Sequence, residues 1–114
     1  MNDRTRKLLF DVLDSCRSIR QWCATRSFSD YEAERQFRRA VEREFEIIGE
    51  ALNRLDRTDP PTAARISELR RIVDFRNRII HGYDTVDDTV VWGIVERHLP
   101  ALVKEAIGLL ESNK

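Results

Sequence analysis

Apolar residues recur along the chain at three-and-four spacing, the period of helices that each bury one stripe. From Arg4 to about Thr25 the seam is Leu9, Val12, Leu13, Cys16, Ile19 and Cys23, with charges on the other faces. After it, Ser29 with Glu32 three residues on has the spacing of a capping box. The second helix is predicted to run from about Tyr31 to Leu55, on a stripe that includes Phe37, Val41, Ile47, Ile48, Ala51, Leu52 and Leu55. Asp56 to Pro61, with two consecutive prolines, predicts a loop. A short turn around Thr62 to Ile66 follows, and Ser67 is placed to cap a third helix that ends near His81. Its stripe is Leu69, Ile72, Val73, Ile79, Ile80 and Tyr83, and Gly82 suits a helix terminus. Asp87 is an N-cap for a fourth helix that begins near Asp88 and places Val91, Ile94, Val95, His98 and Leu102 on one face. Pro100 must kink or restart that helix, because its ring removes a hydrogen bond and clashes with the preceding turn. No stretch reads as a useful strand. The expected fold is all-α: an up-down bundle of four long helices, the last broken near Pro100, as one domain over residues 1–114.

Charge changes the picture locally rather than globally. Twenty lysines and arginines balance twenty acidic residues, so no overall basic field advertises non-specific nucleic-acid binding. A local patch remains: Arg65, Arg70, Arg71, Arg76 and Arg78 against Glu68 and Asp74. A solvated helix face accounts equally well for Arg70, Arg71 and Arg78. Cys16 and Cys23 lie two helical turns apart, roughly 10 Å, too far to bridge, and read as buried free thiols. With no apolar run at the N-terminus and no span of roughly 20 apolar residues, the expectation is a cytoplasmic chain without a membrane segment.

Two positions break the greasy stripes. Arg76 falls within that of the third helix and Glu44 within that of the second, and their charges are opposite. A buried arginine needs a carboxylate, a phosphate-sized anion or a partly wet interface. His81 follows five residues on. Together they suit attack on a phosphodiester: a guanidinium fork meets the non-bridging oxygens and gains strength as negative charge builds. An imidazole can deprotonate a ribose 2′-hydroxyl or protonate the departing 5′-oxygen. RNA brings its own nucleophile, so this chemistry needs no cofactor and no metal. The chain also lacks zinc-type Cys/His spacing and a glycine-rich phosphate loop. On an ideal helix Arg76 and His81 point about 140° apart, so either the helix unwinds near Gly82 or two copies complete one cleft. A purely structural account, Arg76 paired with Glu44 and His81 merely near a helix end, fits the same residues.

The run Arg76-Asn77-Arg78-Ile79-Ile80-His81-Gly82-Tyr83 resembles the Arg-x4-His-x-Tyr signature of HepT toxins, members of the HEPN superfamily of helical RNA-cleaving domains. Phe45 to Ala51 resembles the family's second helix, and Val91 to Val95 with Leu99-Pro100 its fourth. The resemblance implies an endoribonuclease toxin that acts as a homodimer, with Arg76 and His81 catalytic. Glu44, at the family's polar second-helix position, and Asn77 and Arg78 beside Arg76 are the expected supporting or RNA-contacting residues. Glu44 stands where asparagine is commoner, which leaves its role open. Tyr83 matches the tyrosine that a partner nucleotidyltransferase antitoxin, of the MntA type, modifies with AMP. The alternative is a non-catalytic helical partner that presents substrate or nucleotide to a nucleotidyltransferase. His98 reads as a helix-end or interface residue, Trp92 as a core or dimer-contact residue, and Asp84, Asp87 and Asp88 as a turn and cap.

Overall fold

Asn2 starts the first helix, α1 (Asp3–Cys23), by accepting a hydrogen bond from the Thr5 N–H at 2.8 Å. The structure, a computed structural model, describes residues 1–82 and 86–112, and no strand occurs among them. The α1 seam is buried as its period demands, from Leu9 through Ile19, while Cys23 is half-buried.

The second predicted helix is two. α2 (Phe28–Ala33) and α3 (Arg35–Thr58) meet at Glu34, whose backbone is extended (φ −106°, ψ 98°). The capping box is also two residues earlier than expected. Ser27 and Asp30 exchange backbone-to-side-chain bonds at 2.9 and 3.1 Å, so the helix starts before Ser29. At the break, the Arg38 guanidinium donates to the carbonyls of Tyr31 and Glu32, which lack helical partners there. The rings of Tyr31 and Phe37 meet edge-on across it at 5.3 Å.

Asp59 turns the predicted loop into a short helix, α4 (Pro60–Ala63), accepting from the Thr62 N–H with proline in the first turn. Its second carboxylate oxygen accepts from the Thr62 hydroxyl at 2.8 Å and from the buried Thr5 hydroxyl at 2.9 Å, tying α1 to the end of α3. The next helix, α5 (Leu69–His81), is not capped by Ser67. Glu68 occupies the cap position without a side-chain bond, and the Ser67 hydroxyl instead donates to Glu105 at 3.1 Å. Phe75 joins the α5 core, edge-on to Phe45 at 5.2 Å, whereas Ile80 is exposed. α6 (Asp88–Arg97) starts as predicted, with Asp87 accepting from the Thr89 N–H. It breaks at His98, one residue before α7 (Leu99–Glu111), in which Pro100 sits in the first turn, where no donor is missed.

α1 packs on α3 and α7, and α3 packs on α5, so α3 is the central rod of the bundle. Trp92 of α6 lies within 6.4 Å of the rings of Phe28, Tyr31 and Phe37, an aromatic cluster inside the chain that fixes α2 against α6. No helix among the described residues is long and apolar enough to cross a membrane.

Candidate functional site

The site begins with a missing side chain. Gly49 sits mid-helix on the buried face of α3, and the stem of Arg76 lies directly over it. A β-carbon at Gly49 would stand 2.3 Å from Cβ and 2.6 Å from Cγ of Arg76, so only glycine lets α5 approach this closely. The stem is thereby covered and the head is carried one residue along α3, to Glu50. Arg76 Nη2 donates to Glu50 Oε2 at 2.8 Å, and Nη1 donates to Asn77 Oδ1 at 2.9 Å. Arg76 Nε is buried and makes no hydrogen bond. Glu50 serves two cations, since its other oxygen accepts from Arg54 Nε at 2.9 Å.

This settles which carboxylate meets Arg76. Glu44 is half-buried, with no hydrogen bond or ion pair among the described residues. Six residues along a helix turn a side chain by about 240°, so Glu44 and Glu50 cannot serve the same point. Glu50 lies in the stretch that resembled the family's second helix, and Gly49 inside an apolar stripe is the signal that a neighbouring helix packs closely there.

The guanidinium lines a cleft of about 320 Å³ between α1, α3 and α5. Leu8 and Asp11 come from α1, Ile47 and Ala51 from α3, and Ile80 from α5. Its cations are matched by acids: Arg43 by Glu46 at 3.1 Å, and Arg54 and Arg76 by Glu50. The Arg76 side chain is 22% exposed, enough for a ligand to reach it.

His81 is the exposed last residue of α5 and does not line that cleft. Asn77, expected as a supporting residue, holds Arg76 in place. Arg78 lines a second groove on the opposite flank of α5. Tyr83 lies outside the described residues, as does Asp84. His98 is a helix-end residue, its Nδ1 2.9 Å from Glu68 Oε2. Among the described residues no group of three His, Cys, Asp or Glu side chains is placed to hold a metal. Burial pushes the Cys16 thiol up to about 12 and the Cys23 thiol up to about 11, so neither is poised as a nucleophile.

The family described as ribonuclease HepT-like matches residues 12–107. A provisionally named RNase of Caldanaerobacter subterraneus subsp. tengcongensis is 27% identical over 96% of both chains. One from Methanocaldococcus jannaschii is 28% identical over 85% of this chain and 88% of its own. A provisionally named ribonuclease HepT of Thermococcus cleftensis is 29% identical, over 82% and 84%. No solved structure gives a significant match. With a helical bundle around an arginine clamped between two helices, and a family match over nearly its whole length, the chain belongs to the ribonuclease HepT-like family.

Proposed function

We propose that this chain is an RNA-cleaving toxin that works as a homodimer without a metal ion, Arg76 and His81 carrying the reaction. The ribose 2′-oxygen attacks the adjacent phosphorus, the bond to the 5′-oxygen breaks, and a 2′,3′-cyclic phosphate and a 5′-hydroxyl result. Arg76 neutralises the charge that gathers on the non-bridging oxygens, and His81 moves the proton at the 2′- or the 5′-oxygen.

The observation that carries this reading is the state of Arg76: its stem is packed, its head clamped by Glu50 and Asn77, and one face remains open to a cleft. A guanidinium held this way loses little freedom when it meets a phosphate. Helical geometry supports the dimer, since about 140° separates Arg76 from His81 on α5 and one chain cannot aim both at one phosphate. Ile80 beside Arg76 is exposed, as is Phe10 on α1, and both offer apolar surface to a second copy. Modification of Tyr83 with AMP by a partner nucleotidyltransferase would set a phosphate two residues from His81, in competition with RNA for Arg76. That part of the proposal rests on sequence position and family membership.

One observation favours a second reading, a non-catalytic partner of a nucleotidyltransferase: Glu50 already neutralises Arg76. Cleavage separates the two. The purified chain in excess chelator should cut RNA to cyclic-phosphate ends, and Arg76→Ala and His81→Ala should each abolish this while leaving helical content unchanged. Folded variants as active as the parent, or a parent that cuts nothing, would overturn the nuclease reading.

A further inference from the structure

The second groove, of about 500 Å³, runs between α5 and α6. It differs from the Arg76 cleft in charge. Arg70, Arg71, Arg78 and Arg97 line it, and the only carboxylate that does so among the described residues is that of Asp74. Arg70 leans on Asp56 at 3.3 Å and Arg71 on Glu68 at 3.2 Å, both acids lying outside the lining. The Arg78 and Arg97 side chains have no hydrogen-bonding or ionic partner among the described residues. The head of Arg97 lies along the bare backbone of Gly93, where a β-carbon would come within 2.5 Å of Nη2. Both banks of the groove thus hold an unmatched guanidinium, in a chain whose total charge is zero.

Helical phase connects this groove to the proposed chemistry. At about 100° per residue, Arg70, Asp74, Arg78 and His81 fall within a fan of about 80° on one face of α5, with Arg76 on the far side. Arg70 and Arg78, with Asp74 between them, thus share a face of α5 with His81, which does not itself line the groove. Phe75, Val90 and Ile94 add apolar surface to the lining. Cations along a trough that also offers apolar surface suit a flexible single strand, whose phosphates meet the guanidinium groups while sugars or bases rest on the apolar side chains.

We infer that the α5–α6 groove is the track on which single-stranded RNA docks, its backbone held by Arg78 and Arg97 and directed toward His81. The inference rests on the ribonuclease reading for its purpose, but its test does not depend on cleavage. Binding of a fully 2′-O-methylated 12-nucleotide RNA, which offers no 2′-hydroxyl for attack, is followed by fluorescence anisotropy over a range of salt concentrations. The proteins compared are the parent chain, Arg78→Ala/Arg97→Ala, Arg78→Lys/Arg97→Lys and an Arg17→Ala control on exposed α1 surface.

Each lost phosphate contact should lower the slope of log affinity against log salt by about 0.7, so the double alanine variant should lose about 1.4 and bind more weakly. The lysine variant should keep most of the slope, and Arg17→Ala all of it. Unchanged affinity and slope in a folded double alanine variant overturn the inference, and retained RNA binding with lost affinity for a protein partner would reassign the groove to that partner. If the parent binds this RNA through Arg78 and Arg97 yet cuts no natural RNA, the nuclease reading fails and the groove stands.

Discussion

Gly49 and Arg76 touch through atoms that glycine alone permits: a β-carbon on the first would fall 2.3 Å from that of the second. The atom it would strike is the root of the Arg76 side chain, which cannot swing aside without moving α5. Gly49→Ala should therefore cost about 1–3 kcal/mol, the usual range for overpacking a fitted contact. Gly108 on α7 provides the control, because nothing lies within 4 Å of a β-carbon added there. Gly108→Ala should stabilise by about 0.4–1 kcal/mol through the unfolded chain's lost freedom. Urea midpoints for the two variants should move in opposite directions; a shift of Gly49→Ala toward greater stability would refute the close approach.

Glu50 both positions Arg76 and competes with any anion that approaches it. Glu50→Gln keeps the shape and an acceptor oxygen but removes the charge, so RNA affinity should rise while stability falls by no more than about 1 kcal/mol for this partly exposed pair. The gain must depend on Arg76. In an Arg76→Ala background the same substitution should leave RNA affinity as it is, and a double-mutant cycle reads the difference. An equal gain in both backgrounds would mean that Glu50 acts by general repulsion.

The helical seams were legible because burial follows the 3.6-residue period: Leu9 to Ile19, and Val41, Ile48, Ala51, Leu52 and Leu55, lie inside as expected, with Ile47 half-buried at the cleft. The break at Glu34 was not. Residues 28–55 show no proline or glycine before Gly49, and what ends α2 is Arg38 reaching back across the turn together with the Tyr31–Phe37 contact, both tertiary. The resemblance over Arg76 to Tyr83 pointed to the right family, and the charge on the α5 stripe pointed to a paired arginine. Its partner was misplaced by phase alone, since a long side chain meets the residue that its stem leads it to, and Gly49 sets that direction. Nothing in the sequence marks Arg97, because its relation to Arg78 exists only once α5 and α6 flank one groove.

Tyr31 is fully buried, and its hydroxyl has no hydrogen-bond partner. Burial pushes its pKa far above the ordinary tyrosine value, with Glu42 and Asp88 adding to the rise. The ring is needed, since it packs on Phe37 and Trp92, but the hydroxyl is a buried donor without an acceptor. Tyr31→Phe should therefore stabilise the chain by about 1 kcal/mol. Thermal unfolding checks this, and a clear loss of stability would show that the hydroxyl does have a partner in solution.

Asp59 gives the chain a pH dependence with a definite sign. The hydroxyls of Thr62 and Thr5 hold its carboxyl below the ordinary aspartate value, because they donate to the ionised form. A group whose pKa is lower folded than unfolded adds stability above its unfolded value, about 3.9, and loses it as pH falls through the folded value. Asp59→Asn should thus unfold at lower temperature than the parent at pH 7, with the gap closing below about pH 4 as the parent's carboxylate is protonated. Thr5→Val removes one donor, keeps the volume, and should reproduce part of the same pattern. Melting temperatures between pH 3 and pH 7 for the three proteins test it; a gap that stays constant with pH would show that Asp59 acts only as a neutral cap for α4.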